Sequence, residues 1–231
     1  MLLQTDSITR TESLAPLYTP SEKFATSRTR WYCLAVVTGV SALQGAIWSN
    51  FGPIGEAVKP LYGWHDSQIA LLANWGPIMY LVGVGPSSWL LDAKDGLWWS
   101  CVLAAVLVLA GSILRCVHVA GDPIGSALMH TAQALNGLAG PVAMSAGPVM
   151  SAVWFAPSER TTSTAVVGVS NYGGTALAFV LGPLLVPATP TLRVAGRLRT
   201  YMLGEMALSV ALVGPVGSSP TPTSTALPSK S

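Results

Sequence analysis

The stretch PIGSALMHTAQALNGLAGPVAMSAGPVMSAVWFAPS, residues 123–158, contains no Asp, Glu, Lys or Arg. A transmembrane helix needs about 20 mostly apolar residues, because the hydrocarbon core is about 30 Å thick and the rise is about 1.5 Å per residue. Ile124 to Phe155 meets that length inside this stretch. Outward from it the pattern repeats. Thr161 to Val186 follows, equally free of charge. Leu97 to Val119, Gln68 to Leu91 and Trp31 to Asn50 precede it. A sixth run, Tyr201 to Gly217, is short and carries Glu205. The expected fold is an all-α integral membrane protein with six transmembrane helices over residues 31–217. A polar cytosolic tail is expected at 1–30. A disordered Ser/Thr/Pro-rich tail is expected at 218–231.

Composition agrees. Charged residues make up 10% of the 231 residues and mean hydropathy is +0.52. An ordinary soluble domain carries roughly 25% charge, so this chain has too little to cover a water-facing surface. The net charge of +2 implies no nucleic-acid partner. Cys33, Cys101 and Cys116 lie in or beside apolar runs, without metal or redox spacing, and read as small buried residues. The polar first 30 residues hold no signal-peptide core, so the first apolar run is expected to insert and stay.

The charges sit mostly between the runs. Asp92, Lys94 and Asp95 separate the second and third, and Glu159 and Arg160 the fourth and fifth. Arg193, Arg197 and Arg199 precede the sixth. With the N-terminus in the cytosol, Arg10, Lys23, Arg28, Arg30, Lys94, Arg160 and Lys230 lie inside. Lys59, Arg115, Arg193, Arg197 and Arg199 lie on the other side, a weak positive-inside bias. Seven Gly-Pro pairs, beginning at 52, 76, 85, 140, 147, 182 and 214, fall mostly inside the runs. Proline removes an amide donor and kinks a helix, which suits either moving helices or close packing. Gly174, Ala178 and Gly182 form a small-residue seam.

No HExxH, GxSxG, Walker loop or GxGxxG occurs, so no enzyme and no cofactor are expected. His65, His118 and His130 have no metal-ligand spacing. Polar residues inside the spans carry more information, because hydrocarbon penalises an unpartnered polar group. In the fourth span His130, Gln133, Asn136, Gly137 and Gly140 fall within about a third of the helix circumference. Such a face serves a solute path or a tight helix interface equally well. Gln44, Trp48 and Asn50, then Asn74 and Trp75, then Asn171 and Tyr172 are further candidates. Glu205 is the only acidic residue inside an expected span. It stands one turn from that span's start, which leaves an interfacial site and a proton relay both open. Arg115 and His118 end the third span and are read as snorkelling to the headgroups.

Several motifs together resemble a known family. Trp89-Leu-Leu-Asp92-Ala-Lys94-Asp95-Gly96-Leu97 resembles the loop between helices two and three of the major facilitator superfamily. Gln44-Gly45 with Trp48 and Gly52-Pro53-Ile54 is similar to solute carrier family 49, in its member-four branch. Ile69 to Leu72, Trp75 to Ile78 and Leu114-Arg115-Cys116 resemble it too, as do Ala134 to Pro141, Trp154-Phe155 with Glu159-Arg160, and Gly182 to Pro187. The resemblance covers about residues 30–190 and weakens to about 215. It implies the amino-terminal half of a twelve-helix carrier built from inverted three-helix repeats.

For that branch it implies proton-driven lysosomal export of pyridoxine. Gln44, Trp48, Asn74, Gln133, Asn136, Asn171 and Tyr172 are the expected substrate contacts, and Glu205 the proton-coupling residue. Asp92, Lys94 and Gly96 are the expected gating loop. A receptor-related branch that handles choline carries Trp after the first-helix Gln, suited to caging a quaternary ammonium. Gly45 stands there instead. Departures accompany the match: the family has twelve helices where six are expected here, and the loop before the sixth span is short and lacks Asn-x-Ser/Thr, so no glycan is expected there. The helix two–three loop is one residue longer between Asp and Gly. Trp98 stands where a basic residue is usual. Pro16 interrupts the acidic-dileucine arrangement at Glu12 to Leu17. The expected partners are a small solute, protons, the bilayer, and a second copy or a full-length carrier. The alternative expectation is a truncated, non-transporting protein that associates with such a carrier.

Overall fold

The structure is a computed structural model that describes residues 28–117, 122–188 and 191–220. His118 and nearly all of the two tails, residues 1–27 and 221–231, lie outside the described residues. Seven helices follow one another: α1 (Thr29–Ser49), α2 (Phe51–Tyr62), α3 (Asp66–Asp92), α4 (Gly96–Val117), α5 (Pro123–Trp154), α6 (Arg160–Leu185) and α7 (Thr191–Gly217). No strand occurs among the described residues.

Local chemistry sets the boundaries. Pro53 has no N–H for the Ser49 carbonyl, and its ring crowds that turn. The helix therefore breaks at Asn50, which keeps helical dihedrals (φ −64°, ψ −34°). The first span thus continues through α2, past the Asn50 end expected from hydropathy. It stops at Gly63, whose left-handed φ of 66° turns its N–H back to the Lys59 carbonyl. The Gln68 side chain caps α3 by accepting from the His65 N–H at 2.9 Å. Asp122 caps α5 by accepting from Gly125 N–H at 2.8 Å. At the far end of α5, Arg160 donates to the carbonyls of Ala152 (3.1 Å) and Phe155 (3.2 Å).

Five helices, α1, α3, α4, α6 and the Arg193–Gly217 part of α7, are long and apolar enough to cross a membrane. α5 is the longest, with 32 residues, and Gly, Pro, Ser, Gln and Asn interrupt its apolar run. Helices α1, α3, α4 and α6 pack around it, and much of its surface is buried. The sixth span begins at Thr191 rather than Tyr201. Hydropathy registers only its apolar part, whereas arginine is a good helix former and continues the helix outward. Arg193, Arg197 and Arg199 therefore stand on the first turns of α7.

Glycines let these helices approach closely. A Cβ on Gly174 would strike the Ala42 carbonyl, and one on Gly182 would meet Ile54 at 3.0 Å. The expected small-residue seam thus packs α6 against the first span. Gly111 brings α4 within 2.9 Å of the Ala132 carbonyl by the same measure, and Gly137 brings α5 within 2.7 Å of the Trp75 carbonyl. Two apolar clusters result. One centres on Val37, Val40, Val108, Val142, Met150 and Trp154. The other centres on Phe51, Val58, Trp64, Met129, Leu198 and Met202. At one end of the bundle Arg30 pairs with Glu159 at 2.6 Å, and its guanidinium lies 5.2 Å from the Trp31 ring centre. That contact joins the start of α1 to the start of α6.

Candidate solute and proton site

Three of the expected polar residues meet in one knot. Asn171 donates from Nδ2 to Gln44 Oε1 at 2.9 Å and to the Ser41 carbonyl at 2.8 Å. Gln44 donates to the Asn136 carbonyl at 3.3 Å, and Asn136 returns a bond to the Gln44 carbonyl at 3.2 Å. All three side chains are buried. They join α1, α5 and α6 where Gly45 brings α1 against the Asn171 carbonyl.

One turn along, Trp48 explains the Gly76-Pro77 pair. Pro77 lacks the N–H that would bond the Ala73 carbonyl, four residues earlier. Trp48 Nε1 donates to that carbonyl at 2.9 Å. Gly76 gives the indole room, since a Cβ there would strike Trp48 Nε1. Gln133 donates to the Trp48 carbonyl at 3.2 Å. Two acceptors on α5, Gln133 Oε1 and Asn136 Oδ1, are buried and have no hydrogen-bond partner among the described residues. They stand one turn apart on the same face, beside the Trp48 and Gln44 backbones. Above them Trp75 Nε1 donates to His130 Nδ1 at 3.0 Å.

The remaining expected contacts lie apart from this knot. Asn74 is exposed on α3, and Tyr172 is exposed on α6, one residue beyond the inward-facing Asn171. In the helix two–three loop, Asp92 and Lys94 are exposed. Gly96 is buried, and a Cβ there would strike the Leu90 carbonyl. Asp95 takes the left-handed φ of 56° that lets the chain reverse. At the opposite end, Lys59 pairs with Asp66 and, at 2.6 Å, with Glu56.

Glu205 is interior, not interfacial, because α7 starts at Thr191 and places it near mid-helix. Asn50, at the break in the first span, donates to both carboxylate oxygens at 3.2 Å. Arg115 Nη1 stands 3.1 Å from Glu205 Oε2. This overturns the snorkelling expectation for Arg115, which is 1% exposed. Helical side chains lean toward their own N-terminus, and α4 and α7 run antiparallel. Arg115 thus leans into the bundle while Glu205 leans toward it. A hydroxyl contact between Ser112 and Ser209, at 3.1 Å, continues the same interface. The guanidinium makes no aligned hydrogen bond among the described residues, so the contact is a charge pair and not a fork. Sequence reasoning missed Arg115. The available signal was a lone cation and a lone acid inside apolar spans, each of which needs a partner.

No family model matches the chain. Individual proteins do. A solute carrier family 49 member 4 homolog from Xenopus laevis is 43% identical over 162 residues, covering 69% of this chain and 34% of that protein. This chain belongs to solute carrier family 49. The family's member A3 from Xenopus tropicalis is 28% identical over 176 residues, 71% of this chain and 35% of that one. The mouse choline/ethanolamine transporter FLVCR1 is 30% identical over 184 residues, 75% of this chain and 30% of its own length. The chain thus spans about a third of the length of the curated relatives it matches. The all-helical fold and the multi-pass membrane character of the family 49 transporters apply to it directly.

Proposed function

We propose that this chain supplies the amino-terminal helices of a proton-driven carrier that exports pyridoxine across the lysosomal membrane. The observation that carries the reading is the pair of buried, unmet acceptors, Gln133 Oε1 and Asn136 Oδ1, beside Trp48. Pyridoxine offers hydroxyl donors and a flat ring. Two acceptors one helical turn apart take two donors, and an indole edge packs on a ring. Gly45 supports the same choice. A Trp there, as in the choline-handling branch, requires α1 and α6 to separate.

Glu205 is the proton site in this reading. Carboxylates inside membrane spans commonly serve as relays. Protonation of Glu205 removes the charge that Arg115 faces and weakens the tie between α7, α4 and the Asn50 break. A change at one titrating group is thereby coupled to a place where the first span bends.

The test is uptake of labelled pyridoxine into proteoliposomes holding this chain, with and without an inward proton gradient. A full-length relative runs beside it. Gradient-driven uptake that falls in Gln133→Ala, with insertion intact, supports the reading. Uptake by the relative alone, with the chain co-purifying with it, moves the assignment to an accessory subunit. Normal uptake in Gln133→Ala removes that residue from the solute site.

A further inference from the structure

α7 packs on α4 and scarcely touches α6, although both flank α1. The gap is a groove of about 1180 Å³. Its floor is made of small α1 residues, Gly39, Ala42 and Ala46, and its walls include Leu181 of α6 and Leu208 of α7. At about 100° per residue, that floor lies on the opposite side of α1 from Gln44 and Trp48. The groove therefore lies away from the proposed solute contacts on α1 and α5, and the edge of the Glu205 pair is the one part of the proposed site that reaches its lining. Arg193 and Arg197 line its mouth, one turn apart on α7. Both are exposed, and neither has an acidic partner among the described residues.

We infer that this groove binds an anionic phospholipid, with its phosphate on Arg193 and Arg197 and an acyl chain along the leucine walls. Each half of the groove selects a different half of that ligand. Water gains nothing from the apolar walls, whereas an acyl chain fills them. Two guanidiniums four residues apart present planar donor forks that fit phosphate oxygens. A zwitterionic lipid offers the same phosphate but no net charge to offset two cations.

The test is native mass spectrometry of the full chain released from nanodiscs that contain phosphatidylglycerol and phosphatidylcholine. The expected result is retained phosphatidylglycerol. Arg193→Gln/Arg197→Gln should lower apparent affinity by about thirtyfold, the effect of roughly two headgroup-level cations. Arg193→Lys/Arg197→Lys, which keeps both charges but loses the forks, should fall between wild type and the double Gln variant. Ala46→Phe, which fills the floor, should lose the retained phosphatidylglycerol while circular dichroism stays that of wild type. Three results would overturn the inference. The first is equal retention of both lipids by wild type. The second is unchanged retention in the double Gln variant. The third is displacement by inorganic phosphate alone, which would make the arginines a site for a free anion. Loss of a dimer peak in Ala46→Phe, without lipid change, would also overturn it by giving the groove to a second copy.

Discussion

Arg115 of α4 and Glu205 of α7 face each other at 3.1 Å in the interior of the bundle, and Asn50 bonds the same carboxylate from the break in the first span. Three separate elements converge on a single negative charge. Two opposite charges taken out of water are tolerated only together. Removing one partner strands the other.

Arg115→Met and Glu205→Gln should therefore each destabilise the chain by about 3–5 kcal/mol, the usual cost of an uncompensated buried charge. The double variant should recover most of that loss, since neither charge then remains. Thermal unfolding of the purified chain in detergent measures all three. In proteoliposomes the double variant should also lose dependence on the proton gradient. Additive losses in the double variant would mean that the two residues act independently.

Gly45 is held by space. Its Cα faces the Asn171 carbonyl so closely that any Cβ collides with backbone, which cannot yield as a flexible side chain would. Gly45→Ala should cost about 1–3 kcal/mol, as overpacking does elsewhere. Gly45→Trp should abolish a monodisperse peak on size exclusion, not confer choline transport. A well-folded Gly45→Trp chain would refute the packing argument.

The spans were legible in the sequence because their cause is local. A charge-free run such as 123–158 has nowhere to go but a membrane or a deep core. The seam of Gly174, Ala178 and Gly182 was legible for the same reason. The start of α7 was not, since Arg193 and Arg197 depress hydropathy without breaking a helix. With the span started at Tyr201, Glu205 stood one turn in, so an interfacial position stayed open and its partner stayed hidden. The polar residues were visible as candidates, but their directions were not. Asn171 and Tyr172 are neighbours in sequence but stand about 100° apart on α6, one buried and one exposed, so adjacency carried no information about a shared site. The Arg115 contact depends on how α4 and α7 cross, which no single-span pattern encodes.

Gly96 turns the loop between α3 and α4 under the last turn of α3. Gly96→Ala should destabilise the chain and disturb the loop, because the added methyl meets the carbonyls of Leu90 and Leu91. Lys94→Ala, at an exposed position, should stay within about 0.5 kcal/mol of wild type. Limited proteolysis near residue 95 reports on the loop directly. Faster cleavage in Gly96→Ala and unchanged cleavage in Lys94→Ala are expected. The reverse order would mean that charge, not backbone space, holds the turn.

The Trp48 indole and Pro77 are coupled through the Ala73 carbonyl, although they lie in different helices. Trp48→Phe keeps an aromatic ring but removes the N–H, leaving that carbonyl without a donor at a cost of about 1–3 kcal/mol. Pro77→Ala restores a backbone N–H in register with the same carbonyl. In that background the Ala73 carbonyl no longer depends on Trp48, so Trp48→Phe should cost less by about 0.5 kcal/mol or more. A double-mutant cycle on thermal stability reads the difference. Equal costs in both backgrounds would show that Trp48 serves only by packing on Gly76. The Gly76-Pro77 pair would then need another explanation.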